Sequence, residues 1–214
     1  MLLTTQTIRK TGGILLILFL SFPADSQLID SLEYYFSKKP KLDIRLDSRN
    51  AFITNRQVQI FGIKAGVNHS RSVKYGLGYN QLITTLDREF HVQDELQDYT
   101  YRMHYLAPYF EYSFFVKKRW EISIPIQLGF GTTYYRPENS ALPRLDQNLL
   151  VIYEPMMSAE YHFFRYFTAG LAVGYRIALV GGRSSPESIT SPTYALRFNF
   201  LIGKLYRDIF PKKE

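Results

Sequence analysis

The sequence predicts an all-β fold, an eight-stranded antiparallel up-and-down transmembrane β-barrel, from three features. Apolar residues alternate with polar or small ones over runs longer than an ordinary soluble strand. Eight such runs are joined by connections that are alternately long and short. Glycines and charges share one face of the runs while aromatics gather toward the ends of the other. Composition agrees with this reading. The 214 residues hold 17 Tyr, 16 Phe and a single Trp, with 46% hydrophobic and 21% charged residues. That is too apolar for a disordered chain. The absence of cysteine excludes a disulfide scaffold and thiolate-bound zinc.

The chain opens with an export signal. Arg9 and Lys10 precede the apolar run Ile14 to Phe22, then Pro23 and the small-residue step Ala24-Asp25-Ser26. Residues 1–26 are therefore expected to be a signal peptide cleaved before Gln27. Nine apolar residues are too short for a membrane-spanning helix, which takes roughly 20. Residues 27–40 read as a periplasmic N-terminal segment, with Leu28, Leu32, Tyr35 and Phe36 on one side of one or two helical turns. The barrel is assigned to 41–207 and a tail to 208–214.

The barrel strands are expected at 41–47, 57–67, 72–84, 99–115, 119–135, 149–163, 166–180 and 192–207. The first is short and the least regular. The second and third place Gly62, Gly66, Gly76 and Gly78 on the polar face. The fifth is the clearest: Trp120, Ile122, Ile124, Ile126, Leu128, Phe130 and Tyr134 share one face, opposite Glu121, Ser123, Gln127, Gly129 and Gly131. Phe167 to Ile177 and Tyr194 to Ile202 repeat that design. The connections run 9, 4, 14, 3, 13, 2 and 11 residues. Long loops at one rim and tight turns at the other give this rhythm in a membrane barrel. A soluble barrel also alternates, but it gains nothing from a glycine-rich face turned to water. Trp120 and Tyr134 are assigned to interfacial aromatic girdles.

If apolar side chains face lipid, inward parity selects Lys64, Lys74, Arg176 and Arg197 against Glu111, Glu121, Glu154 and Glu160. Lys64, Lys74, Glu111, Glu121 and Glu160 fall low in the barrel, and Glu154, Arg176 and Arg197 higher, on three consecutive strands. Charges at bilayer depth need interior partners, and eight strands leave a lumen that side chains fill. The favoured reading is a salt-bridged plug, with a proton or ion path second. The outer loops 85–98 and 136–148 are expected to make the external contacts, the former through Asp87, Glu89, Asp94, Glu95 and Asp98. Despite a pI near 9.4 the cations are dispersed, which argues against a nucleic-acid partner.

Catalytic signals are weak. His69 is expected in a turn, His91 in an outer loop and His162 inward near the periplasmic end. His104 faces outward near the upper rim, with flanking neighbours drawn from Gln81, Ile83, Thr132 and Tyr134 and no serine among them. No histidine pair has metal spacing, and the Gly-x-Gly steps at 76–78 and 129–131 lie inside strands, so neither metal nor cofactor is expected.

The signal ending Ala-Asp-Ser, the run Lys74 to Asn80 (KYGLGYN) and the closing strand Tyr194 to Ile202 (YALRFNFLI) resemble the small eight-stranded outer-membrane barrels of Gram-negative bacteria, and more particularly barrel proteins of the Bacteroidota. The likeness covers Lys41 to about Arg207. It implies an integral outer-membrane location and contact with outer-membrane lipid and lipopolysaccharide; a closed barrel has no edge that demands pairing, so a monomer is expected. It is specific for architecture, because this fold hosts structural proteins, adhesins, lipid enzymes and narrow pores alike. One departure is the terminus: many such proteins end on an aromatic, whereas here Phe210 is followed by Pro211, Lys212, Lys213 and Glu214, leaving Tyr206 and Phe210 as candidates for that role. The leading expectation is a non-enzymatic structural or surface-interaction platform with an extracellular or periplasmic protein partner. The alternatives are a narrow channel for small solutes or protons and a lipid-modifying enzyme.

Overall fold

The computed structural model describes residues 33–92, 95–138, 142–164, 166–181 and 188–200. The chain divides into two compact units after Lys39. In the first, residues 33–36 make one helical turn, closed by the Ser37 amide donating to the Glu33 carbonyl at 3.1 Å. The signal segment 1–26, residues 27–32, residues 201–207 of the expected last strand and the tail 208–214 lie outside the described residues.

The second unit is built from antiparallel strands: β1 (Lys41–Ile53), β2 (Arg56–His69), β3 (Val73–Leu82), β4 (Asp87–Val92), β5 (Glu95–Lys117), β6 (Trp120–Pro137), β7 (Leu145–His162), β8 (Phe167–Val180) and β9 (Ser191–Phe200). Eight of these nine close into a ring, each beside its sequence neighbour except where β3 meets β5 and where β9 returns to β1. Closure between first and last strands satisfies the backbone groups that an open sheet would leave unpaired. β4 stands outside the ring. It pairs with the first part of β5, from Asp87 against Thr100 to Val92 against Glu95, and forms an arm above the rim where β3 has already ended.

Three expectations about connections are corrected. The first strand is not short: β1 runs thirteen residues, and the expected nine-residue loop 48–56 is replaced by a two-residue turn, Thr54-Asn55. Both turn residues have positive φ, 47° and 63°, as the tight hairpin turn that follows strand twist requires. Segment 85–98 is largely the β4–β5 hairpin rather than a loop, and 136–148 is shortened from both ends by β6 and β7.

The faces sort as expected in the lower and middle barrel. Leu106, Phe130, Leu171, Val173, Leu196 and Phe198 point outward with 47–62% of their surface exposed. Charged and small residues point inward. Gly66 and Gly76 sit opposite each other on β2 and β3, and a Cβ on either would strike the facing backbone. The same space admits the hydroxyl of Tyr109 from β5. In the upper barrel the inward face is apolar instead: Ile53, Val58, Ile60, Leu82, Met103, Leu150 and Ile152 are buried there with Tyr99, Tyr101 and Tyr135.

Candidate functional site: the barrel interior

Period-two alternation fixes which side chains enter the bore, and register fixes their height. β1 contributes Asp43, Arg45, Asp47 and Arg49 at alternate positions, so one face of one strand carries four charges of alternating sign. They join the eight inward charges named from the sequence, all buried: Lys64, Lys74, Glu111, Glu121, Glu154, Glu160, Arg176 and Arg197. Among the described residues the interior thus holds six cations and six carboxylates, formally neutral.

In the lower layer the Lys74 ammonium lies between three carboxylates. It hydrogen-bonds Glu121, donates to Glu111 at 3.2 Å and lies 3.8 Å from Glu160. These three carboxylates converge as the ligands of a metal ion would, and Lys74 supplies the compensating positive charge. Arg45 donates to Asp43 and Glu111, both at 2.6 Å. Ser113 and Ser123 donate to Glu121 and Glu111 at 2.8 and 2.9 Å. At the lower mouth His162 approaches Glu121 at 3.1 Å, with its other ring nitrogen 3.1 Å from the Thr168 hydroxyl.

The middle layer is centred on Glu154. Arg49 donates to it at 2.7 Å, Arg176 at 2.6 Å, and Gln127 also bonds it. Arg49 further reaches Asp47 and Asn80, both at 2.8 Å. Lys64 pairs with Asp47 at 2.9 Å. The expected grouping of Glu154, Arg176 and Arg197 is corrected here: Arg197 stands opposite Asp47 and Gly170 and donates to Glu111 and Glu160, both at 3.3 Å, so it belongs to the lower layer. Barrel stagger lowers its position relative to a count along the chain.

Above the ionic layers lies the apolar and tyrosine-rich plug, which sequence reasoning missed. The arm closes it from outside. Phe90 of β4 packs edge-on against Tyr99 and Tyr135, with ring centroids 5.3 and 4.9 Å apart, and Leu86, Val92 and Leu145 pack beside it. The signal was present in the parity of Val58 and Ile60, which share the inward face with Lys64.

Trp120 lies at the short-turn rim, 52% exposed and edge-on to Tyr161. Tyr134 lies at the opposite rim, half-buried, beside His104. His104 has Gln81 and Thr132 as cross-strand neighbours, and its Nε2 lies 3.3 Å from the Thr132 hydroxyl. His91 is exposed on β4, and His69 is buried at the end of β2 and stacked on Tyr75 rather than placed in a turn.

No family model matches the chain, and no curated protein sequence matches it. Solved structures do. Neisserial surface protein A superposes with a TM-score of 0.57 at 7% identity, over 77% of this chain and 99% of that one. The N-terminal β-barrel domain of OprF from Pseudomonas aeruginosa gives 0.47 at 11% identity, over 76% and 98%. Ail, the attachment invasion locus protein of Yersinia pestis, gives 0.41 at 10% identity, over 75% and 96%. At such identities the likeness is one of fold, and the first of the three carries it. The architecture is that of a small outer-membrane barrel, an all-β antiparallel up-and-down sheet closed on itself.

Proposed function

We propose that this chain is a non-enzymatic, monomeric integral protein of the bacterial outer membrane, a rigid wall that presents its long-loop rim to a surface partner. The carrying observation is the filling of the bore by two layers of different kind: a neutral set of buried ion pairs, and above it a dry plug of Ile, Leu and Tyr under Phe90. An ion that entered among the carboxylates would meet apolar side chains before reaching the other rim, so the channel reading is disfavoured. The apolar outer face supports the membrane location, since that much exposed Leu, Val and Phe is matched to lipid tails rather than to water. The runs KYGLGYN and YALRFNFLI support a protein of the Bacteroidota type, and Arg9-Lys10, the apolar run 14–22 and the Ala24-Asp25-Ser26 step support signal-peptide cleavage before Gln27, with surrounding lipid and lipopolysaccharide as partners. Against the lipid-modifying enzyme stands the surrounding of His104, where a threonine and a tyrosine occupy the neighbouring positions that a serine nucleophile and a carboxylate would need. Planar-bilayer recording of the purified protein tests the proposal: a quiet membrane is expected, and discrete current steps would overturn it.

A further inference from the structure

The outer wall of β5 and β6 changes character in successive rows. Tyr79, Leu106 and Phe130 form one lipid-facing row across β3, β5 and β6, each roughly half exposed. The next row toward the long-loop rim is Gln81, His104 and Thr132, and the next pairs Arg102 with Tyr134. One row higher, Arg136 stands opposite Thr100. Arg144, the residue just before β7, places its guanidinium 4.8 Å from the centre of the Tyr134 ring. One guanidinium thus stacks on Tyr134, a second arginine is its cross-strand partner and a third stands two positions along its own strand, and among the described residues none of the three is paired with a carboxylate. The Nε of Arg102 is buried without a hydrogen-bond acceptor. Beside and above them the sign reverses: Asp87 stands across Thr100 from Arg136 and accepts from the Thr100 hydroxyl at 2.7 Å, and in the next row Asp98 and Glu89 pair across β4 and β5.

Such a patch is out of place both on an ordinary lipid-facing wall and on a solvated loop. Arg102 lies four residues beyond Leu106, on the order of 13 Å along the strand at about 3.3 Å per residue. This is the height at which acyl chains packed on Leu106 and Phe130 give way to headgroups. Guanidiniums bind phosphate with paired, planar hydrogen bonds, and the tyrosine stack holds one of them in place at little cost in entropy. The acidic row above limits how far an anionic amphiphile can rise. We infer that Arg102, Arg136 and Arg144, neighbours of Tyr134 on this wall, bind the phosphates of an outer-leaflet glycolipid of the lipid A kind. The inference rests on the outer-membrane reading above and adds to it a defined, one-sided lipid site.

The test uses the full-length protein in detergent micelles and native mass spectrometry. The probes are bis-phosphorylated lipid A, the same lipid after enzymatic dephosphorylation, and inorganic pyrophosphate as competitor. The native protein is expected to retain the phosphorylated lipid at least tenfold better than the dephosphorylated one. The triple variant Arg102→Gln, Arg136→Gln, Arg144→Gln is expected to lose that preference. The control Lys117→Gln, Lys118→Gln, Arg119→Gln, with three cations removed at the opposite rim, is expected to keep it. Heat-modifiable gel mobility shows that each variant is folded. Equal retention of the two lipids by native protein, equal loss in the control, or full displacement by equimolar pyrophosphate would each overturn the inference. Failure to enter bilayers at all would instead remove the membrane reading on which it stands.

Discussion

Glu154 shows most clearly how a buried charge holds the interior together. It accepts from Arg49 and Arg176 at once, so truncating it leaves two guanidiniums short of a counter-charge in a low-dielectric setting. Glu154→Ala is expected to destabilise the barrel by about 3–5 kcal/mol, the usual cost of breaking a buried pair by removing one partner. Removing the second arginine as well, in Glu154→Ala with Arg176→Met, is expected to recover part of that loss, because Arg49 still has Asp47 at 2.8 Å. Urea unfolding in micelles, followed by the fluorescence of the single Trp120 at the short-turn rim, measures both. A double variant no more stable than the single one would show that the loss is not one of uncompensated charge. The eight inward charges named from the sequence were legible because each stands among apolar neighbours in a clean alternation. The four on β1 were not, since Asp43, Arg45, Asp47 and Arg49 in one short segment resemble a solvated loop until the facing carboxylates and cations are in place.

At the level of elements, what hid β1 from the sequence was chemistry and what hid β4 was length. The β1–β2 turn uses Thr54 and Asn55 rather than the asparagine-glycine pair that announces a tight hairpin, so no local signal ended the presumed loop. β4 is only six residues, mostly polar, and its single large apolar side chain is Phe90. Strands β5, β6, β8 and β9 were readable because long lipid-facing runs enforce period two, whereas an arm above the rim has no such constraint: Val92 packs on the plug, and the largest apolar contact is that of Phe90. That contact defines a prediction. Phe90→Ala removes the ring that lies edge-on to Tyr99 and Tyr135, and the arm should then open locally while the ring of eight strands persists. Hydrogen exchange is expected to quicken by at least tenfold at the amides of residues 87–92 and 95–100, with β7 and β8 unchanged. Uniform quickening through the barrel would mean that the arm is part of the global cooperative unit; no change would mean that Phe90 does not fasten it.

For the whole molecule, the two interior layers act as barriers in series, and each blocks by a different mechanism. The ionic layers fill space with side chains locked to one another, and their neutrality offers a permeating ion no net attraction. The plug excludes ions because apolar walls give them nothing to replace their water. Barriers in series have a diagnostic consequence: opening either alone leaves the other closed. A variant that empties the plug, Phe90→Ala with Tyr101→Ala and Tyr135→Ala, is expected to stay silent in a planar bilayer. So is one that thins the middle ionic layer, Arg49→Ala with Glu154→Ala and Arg176→Ala, the three truncated together so that the net charge of the interior changes by only one. The combination of both sets is expected to conduct in discrete steps. Conduction by the plug-emptied variant alone would mean that the ion pairs are no barrier, and the barrel would then be a channel gated from its outer rim by the β4 arm. Silence of the combined variant, with heat-modifiable mobility intact, would place the decisive block in the lower layer around Lys74, whose ammonium occupies the space between Glu111, Glu121 and Glu160.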